Sequence, residues 1–138
     1  MHPNRILDFS GQVVAITGAA RGIGQATALA FAQAGAHVAL LDIDGAAAQE
    51  AAQQIKADCG HSATRIEGMA LDVTQARDVA LVVDRVAAWN GRLDVMVNNA
   101  GIALRKPTLE LSLADWNKVV EVNLTGVFLC AQAAGRHI

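Results

Sequence analysis

The clearest absence in this chain is tyrosine, since its 138 residues include none. Cysteine and proline are also rare, with two residues of each. Cys59 and Cys130 show no motif spacing, which favours two free thiols in a reducing compartment over a disulfide. No apolar run approaches the roughly 20 residues of a membrane-spanning helix. The sequence therefore predicts no membrane association, and we expect no bound metal.

Charge is scarce as well. Charged residues make up 17% of the chain against 53% hydrophobic residues, and the formal net charge is −2. This composition indicates a globular chain rather than a disordered one. Because lysine and arginine are scattered, we expect no nucleic-acid partner and no anionic-membrane surface. The length favours a single domain, residues 1–138, and the absence of a signal region after Met1–Arg5 predicts a cytoplasmic protein.

Apolar residues alternate between strand-like and helix-like spacing along the chain. The predicted strands are Gln12–Thr17, His37–Leu41, Thr64–Leu71 and Leu93–Val97. The predicted helices are Ile23–Ala34, about Gly45–Ala57 with Asp44 as its cap, a helix carrying Val79–Val86, and a last helix that starts at Ser112 and carries an apolar stripe from Trp116 to Ala131. Buried parallel strands joined by right-handed helical crossovers make a doubly wound α/β sheet.

A glycine-rich stretch lies between the first predicted strand and the first predicted helix. It contains Gly18, Gly22 and Gly24, with Arg21 and Ile23 between them. Glycines let the backbone approach a pyrophosphate, and the free N–H groups of the new helix face the anion with the helix dipole behind them. The spacing differs from the G-x-G-x-x-G fingerprint, and any tight strand-to-helix turn uses glycine. The position of this stretch nevertheless favours a phosphate-binding loop.

Asp42 ends the second predicted strand. A carboxylate there accepts hydrogen bonds from the adenosine ribose hydroxyls of a dinucleotide and repels a 2′-phosphate. The alternative is a cap for the following helix, although Asp44 is better placed for that role. Arg21 argues the other way, because a guanidinium in the glycine-rich loop can meet a 2′-phosphate. Since Ile43 adds no positive charge, we expect NAD rather than NADP.

Two more segments follow predicted strands at the carboxyl edge, where ligands bind in such sheets. Asp72 and Val73 follow the third strand, and Asp72 either faces an adenine amino group or caps the next helix. The fourth strand is followed by Asn98, Asn99, Ala100 and Gly101. Small residues there allow a ligand to approach the backbone closely, and the asparagines can pin neighbouring loops. A plain turn is the alternative interpretation.

Asn123 falls on the apolar stripe of the last predicted helix, between Val120 and Leu124. We expect it to be buried, and a buried amide without partners costs stability. It either bridges helix backbone groups, or holds a structural water, or serves in catalysis. We favour the functional interpretation.

Taken together, these residues resemble the short-chain dehydrogenase/reductase family. The ordered set is Thr17-Gly18-x-x-x-Gly22-x-Gly24, Asp42, Asp72-Val73, Asn98-Asn99-Ala100-Gly101 and Val122-Asn123, and the match runs from about Phe9 to Ile138. The resemblance implies a Rossmann-like sheet, a nicotinamide cofactor, hydride transfer between an alcohol and a carbonyl, and a homo-oligomer. In this family a tyrosine acts as acid or base with help from a lysine and a serine. The asparagine that matches Asn123 supports a proton relay.

The family's serine and Tyr-x-x-x-Lys come after the helix that carries Asn123, and this sequence ends at Ile138. The lysines at hand, Lys56, Lys106 and Lys118, are not in the family's position. We therefore expect the cofactor-binding half of an oxidoreductase, with no turnover by itself. The alternatives are a non-catalytic nucleotide-binding module and a chain that does not fold stably alone. A nucleotide-binding methyltransferase is a weaker rival, because its glycine loop lacks the asparagine companions.

The family's strand order, 3-2-1-4-5-6, leaves the fourth predicted strand at an edge of the sheet in this chain. Leu93, Val95 and Val97 make that strand apolar, and only Asp94 discourages pairing. We expect the isolated chain to self-associate or to be partly molten.

Overall fold

The computed structural model describes residues 7–59 and 63–138, so the expected lack of a signal region at Met1–Arg5 concerns residues outside the described part. Strands and helices alternate in the order that the sequence predicts. The strands are β1 (Val13–Thr17), β2 (His37–Asp42), β3 (Ile66–Ala70) and β4 (Val95–Val97). The helices are α1 (Gly22–Gln33), α2 (Gly45–Cys59), α3 (Ala76–Ala87), α4 (Leu113–Val120) and α5 (Gly126–Gly135), with a short 3₁₀ turn at Thr108–Glu110.

The four strands form one parallel sheet in the order β3-β2-β1-β4. In this sheet β1 lies at the centre, where Val14 is opposite Val38 of β2 on one side and Val95 of β4 on the other. All five residues of β1 are buried, as expected for a parallel strand covered on both faces. The prediction of a doubly wound, Rossmann-like α/β fold is confirmed.

The core has two halves, one on each face of the sheet. Because side chains alternate along a strand, Val13 and Ala15 of β1 face one half and Val14 and Ile16 face the other. The first half is completed by apolar residues of α3 and α5, and the second half by residues of α1 and α2. The helices thus cover both faces and leave the carboxyl ends of the strands open.

Helix α2 packs against β3 with almost no side chain between them. A Cβ placed on Gly68 of β3 would lie 2.2 Å from the carbonyl carbon and oxygen of Ala48. At the start of α2, a Cβ on Gly45 would lie 2.8 Å from the Cβ of Ala70. Small residues therefore set how closely α2 approaches the sheet, and they fix the position of its first turn.

The elements after β2 differ from the prediction in their bounds. Both β3 and β4 are shorter than predicted, because the residues at their ends lack ladder partners on a neighbouring strand. The last helix is interrupted by a π turn at Glu121–Thr125. Its apolar stripe is exposed at Trp116, Leu124 and Phe128, whereas the buried residues of this segment are Gly126, Cys130, Ala133 and Ala134 of α5.

Strand β4 lies at the edge of the sheet, as predicted. It pairs with β1, and no other strand of the described residues pairs with its second side. Among residues 7–59 and 63–138, no helix has both the length and the apolar character needed to span a bilayer.

Candidate functional site

A cleft of about 290 Å³ lies at the carboxyl ends of the strands. Nine of the predicted site residues line it: Gly18, Arg21, Asp42, Ile43, Asp72, Val73, Asn99, Ala100 and Gly101. Leu71, Ile102 and Val122 also line the cleft. None of them was predicted as a site residue, although Val122 stands in the Val122-Asn123 pair of the resemblance. Their apolar side chains gave no local signal of a site. Gly22, Ile23, Gly24 and Asn123 are not among the residues that line it.

The glycine-rich loop joins β1 to α1 at one wall of the cleft. Gly18 and Gly22 have φ values of +62° and +59°, a conformation that favours glycine. A Cβ on Gly24 would lie 2.3 Å from the carbonyl oxygen of Gly18, so Gly24 lets the helix sit directly beneath the loop. Ile23, which is 79% exposed, points away from the core. Each glycine thus meets a separate steric requirement of one tight turn.

Helix α1 begins without the usual side-chain partners. Within the described residues, its N-cap residue, Arg21, makes no capping hydrogen bond and its first turn holds no acidic residue. By contrast, Asp44 Oδ1 accepts from Ala47 N at the start of α2 at 3.0 Å, which confirms the predicted cap. Ser112 Oγ likewise accepts from the Asp115 N–H at the start of α4, at 3.0 Å. The first N–H groups of α1 therefore stay available to an anion.

A hydrogen-bond network connects the glycine-rich loop to the end of β4. The Thr17 side chain is 2% exposed, and its Oγ1 accepts from the backbone N–H groups of Asn99, at 3.1 Å, and Ala100, at 3.0 Å. Asn99 Nδ2 in turn donates to the carbonyl oxygens of Thr17, at 3.1 Å, and Gly18, at 3.0 Å. The prediction that the asparagines pin neighbouring loops is confirmed for Asn99. The supporting role of Thr17 was not predicted: Thr17 begins the glycine-rich motif, but the sequence does not show which groups its hydroxyl meets.

Asn98, the other asparagine of this segment, points elsewhere. Its Oδ1 is buried and has no hydrogen-bond partner within the described residues. The Asn98 side chain therefore does not help to hold the glycine-rich loop against the end of β4, as Asn99 does.

The Asp42 carboxylate lies between the glycine-rich loop and the start of α2. Its Oδ2 accepts from Ala20 N at 3.1 Å, and its Oδ1 accepts from Asp44 N at 3.0 Å. Arg21 Nη2 lies 3.4 Å from Asp44 Oδ2. Asp42 therefore has two backbone donors that hold it at the cleft, and each oxygen keeps a further lone pair for a ligand.

Asp72 shapes the turn after β3. Its Oδ1 accepts from Thr74 N at 3.0 Å and from Thr74 Oγ1 at 2.7 Å. Helix α3 begins later, at Ala76, so the alternative interpretation of Asp72 as a cap of that helix does not match the geometry. The turn brings Asp72 and Val73 to the wall of the cleft opposite the glycine-rich loop.

Asn123 is exposed, so the prediction that it is buried is wrong. The reason is that neither α4 nor the π turn contributes a fully buried residue: Val122 packs only partly against the core, and the first buried residue of this segment is Gly126. The Asn123 amide nevertheless has two partners on the loop after β4. Its Oδ1 accepts from Ile102 N and its Nδ2 donates to the Ile102 carbonyl oxygen, both at 2.8 Å. It bridges to a loop rather than to helix backbone groups.

Two further side chains, Cys130 and Lys106, are held by the fold outside the cleft. Burial raises the pKa of the Cys130 thiol to about 11, so at neutral pH this side chain is an inert core residue. Lys106 donates to Asp115 across 2.7 Å and is thereby held at the surface of α4. Across the described ranges, no group of three or more His, Cys, Asp or Glu side chains is arranged to hold a metal ion.

Comparison with known proteins agrees with this geometry. The family model described as short chain dehydrogenase matches residues 12–138. The chain belongs to the short-chain dehydrogenase family. It is 43% identical over 130 residues to D-threitol dehydrogenase of Mycolicibacterium smegmatis, covering 94% of this chain and 48% of that protein. It is 45% identical over 131 residues to cis-4-hydroxycyclohexanecarboxylate dehydrogenase of Sinomonas cyclohexanicum, covering 94% and 51%.

The solved structures carry the same fold. A short-chain type dehydrogenase/reductase from Mycobacterium ulcerans superposes with a TM-score of 0.89 at 29% identity, covering 95% of this chain and 48% of that one. This short-chain dehydrogenase sequence thus spans about half the length of the curated relatives it matches. Family members use a nicotinamide cofactor, NAD or NADP, and the relatives act on small molecules.

Proposed function

We propose that this chain holds the adenosine part of NAD for a short-chain oxidoreductase that moves a hydride between an alcohol and a carbonyl. The observation that carries the proposal is that one cleft is lined both by Arg21, the residue that precedes the uncapped start of α1, and by the Asp42 carboxylate. The N-terminus of α1 attracts a pyrophosphate, and the carboxylate accepts hydrogen bonds from ribose hydroxyls.

The residues of the cleft fit the cofactor. The backbone of Gly18, Gly22 and Ile23 would face the pyrophosphate, because the first N–H groups of α1 have no side-chain acceptor. Gly24 serves by letting the helix approach the loop, since a Cβ there would strike the Gly18 carbonyl. When bound, the nicotinamide ring of the cofactor supplies or accepts the hydride.

The opposite wall would hold the adenine. Leu71, Val73 and Ile43 provide apolar surface on which a ring can lie, and Asp72 provides an acceptor for its amino group. No described residue is seen to hydrogen-bond to Asp72 Oδ2, so that oxygen remains open to a donor from the ligand. These assignments follow the order of the strands, since β3 lies at the far edge of the sheet from β4.

Asn99, Ala100 and Gly101 would form the wall nearest the reacting end of the cofactor. The network through Thr17 holds this segment against the glycine-rich loop. A Cβ on Gly101 would lie 3.3 Å from Asn123 Oδ1, so the small residue keeps the loop close to the π turn. We assign Asn123 a supporting role in proton transfer, exerted while its amide holds the Ile102 backbone.

The chemistry of the whole enzyme belongs to this proposal too. We propose a small alcohol or carbonyl substrate, a cytoplasmic location and a homo-oligomer. The names of both curated relatives denote dehydrogenases of hydroxyl-bearing compounds, which supports the substrate class. Because the printed sequence contains no tyrosine, it lacks the acid or base that the family uses, and we expect residues 1–138 to show no turnover. The second candidate is a non-catalytic nucleotide-binding module, favoured by the same absence.

Calorimetric titration of the chain with NAD and NADP tests the proposal. We expect NAD to bind more tightly, and Asp42→Ala to weaken NAD by about 10- to 100-fold, since a hydrogen bond to a charged group contributes about 1.5–3 kcal/mol. The same substitution should relax discrimination against NADP. Asp58→Ala, which removes an exposed carboxylate near the end of α2, is the matched control and should leave NAD affinity unchanged. Equal affinity of the unmodified chain for NAD and NADP would contradict the proposal.

An activity assay tests the expectation of no turnover, and the coding sequence separates the two candidate functions. Cofactor oxidation and reduction are followed with a broad panel of alcohols and carbonyls. Turnover of any substrate by the tyrosine-free chain would contradict the expectation that residues 1–138 show none. NAD binding without turnover is expected for both candidates, and an in-frame Tyr-x-x-x-Lys in the coding sequence past Ile138 would decide for the oxidoreductase.

A further inference from the structure

One ion pair beside the cleft is not used by the proposed binding of NAD. Arg21 Nη2 lies 3.4 Å from Asp44 Oδ2. Within the described part of the chain, Arg21 is the only cationic residue that lines the cleft. A guanidinium in this loop is the group best suited to hold a 2′-phosphate on the adenosine ribose. Its pairing with Asp44 therefore bears on which nicotinamide cofactor the cleft accepts.

Asp44 has three contacts that together fix its position. Its Oδ1 accepts from Ala47 N at 3.0 Å, its backbone N donates to Asp42 Oδ1 at 3.0 Å, and its Oδ2 faces Arg21. The cap and the backbone bond hold the carboxylate at the first turn of α2, beside Asp42. Asp44 does not itself line the cleft, but it contacts Arg21 and Asp42, which do, at the end where the proposed ribose binds.

We propose that Asp44 is a second specificity residue, which engages Arg21 and adds a negative charge where a 2′-phosphate would lie. The inference rests on the proposed function, because it places the adenosine ribose beside Asp42. In this arrangement Asp42 favours a ribose with free hydroxyls. Asp44 engages Arg21, the cation that would otherwise bind the 2′-phosphate. The cofactor preference is therefore set by the pair of acids and not by Asp42 alone.

The expected effect is small, because the ion pair is exposed. The side chain of Arg21 is 74% exposed and that of Asp44 is 50% exposed. Exposed pairs contribute modestly, so releasing Arg21 should change affinity for a 2′-phosphate by roughly two- to fivefold. The effect should also shrink as the salt concentration rises, since exposed charges are screened.

The test uses Asp44→Asn, which removes the charge and keeps an oxygen that can cap Ala47 N. The probes are AMP and adenosine 2′,5′-bisphosphate, which differ by the 2′-phosphate, and their affinities are measured by calorimetry on the full chain. We expect Asp44→Asn to tighten binding of the bisphosphate roughly two- to fivefold and to leave AMP unchanged. Adding Arg21→Gln to Asp44→Asn should remove most of that gain. Asp58→Asn makes the same change in net charge away from the cleft and should alter neither affinity.

The outcomes separate this inference from the proposed function. If the unmodified chain binds AMP and Asp44→Asn brings no gain for the bisphosphate, the role of Asp44 is refuted and the proposed function stands. A gain that persists in full after Arg21→Gln also refutes the role of the ion pair, because repulsion by Asp44 would then account for all of it. If the unmodified chain binds neither probe, the proposed function fails and the inference fails with it.

Discussion

The Thr17 hydroxyl offers a direct test of how the cofactor loop is held. In Thr17→Val the side chain keeps its shape but loses the oxygen that accepts from Asn99 N and Ala100 N. A buried donor left without a partner costs about 1–3 kcal/mol. Two donors are affected, but Asn99 and Ala100 are only half-buried, so water can reach them in part. We expect a loss of about 2–3 kcal/mol in the free energy of unfolding.

The assay is urea unfolding of the full chain, together with thermal unfolding. A loss of about 2–3 kcal/mol corresponds to a fall in Tm of about 7–10 °C for a domain of this size. Thr17→Ser is the matched control, because it keeps the hydroxyl and loses only a methyl group, and it should cost about 1 kcal/mol. If Thr17→Val is as stable as Thr17→Ser, the hydroxyl does not hold the two segments together. NAD affinity measured on both variants shows whether the same network shapes the cleft.

Three further predictions concern the sheet. Gly68→Ala should destabilise the chain by about 1–3 kcal/mol or more, because the added Cβ would meet the Ala48 carbonyl. Gly135→Ala is the control, because a Cβ there has open space and should not destabilise the chain. Chemical unfolding compares the two variants. Asp94→Ala should cost about 1–3 kcal/mol at neutral pH, since Asp94 Oδ2 accepts from the buried Val13 N–H at 2.7 Å. The hydrogen bond from Arg92 lowers the pKa of Asp94. The ionised Asp94 therefore stabilises the fold above about pH 4, and this contribution is lost as pH falls through the lowered pKa. In Asp94→Ala the free energy of unfolding should lack this part of its pH dependence. Light scattering should show self-association through the open side of β4, and a monodisperse monomer with a sharp thermal transition would contradict this.

The sequence predicted the elements well because their periodicity is strong. Buried parallel strands give continuous apolar runs, as in β1 and β2, and each was found close to its predicted bounds. The ends of β3 and β4 were less well predicted, because a strand ends where its neighbour stops pairing. That neighbour is distant in sequence, so local composition does not reveal the limit. The cleft residues were found where the chain order of motifs placed them.

The parts of the site that were missed depend on the tertiary arrangement. Leu71 and Ile102 have no distinguishing spacing, and only the fold brings them to the cleft. Thr17 begins the glycine-rich motif, but only the fold brings its hydroxyl to Asn99 N and Ala100 N. Asn123 was expected to be buried because it lies among apolar residues. The stripe on its helix is apolar but largely exposed. The periodicity therefore identified an apolar surface without showing whether that surface is buried.

The π turn at Glu121–Thr125 changes the direction in which the side chains that follow it point. A π turn holds one residue more than an α turn, so α5 begins about 100° out of step with α4. Within the π turn itself, Asn123 faces Ile102, to which its amide makes two hydrogen bonds. After it, Gly126 must face Val73, since a Cβ there would lie 2.6 Å from Val73 Cγ2. The wider turn thus sets the direction of Gly126 relative to Asn123, so that Asn123 meets the loop after β4 and Gly126 meets the turn after β3.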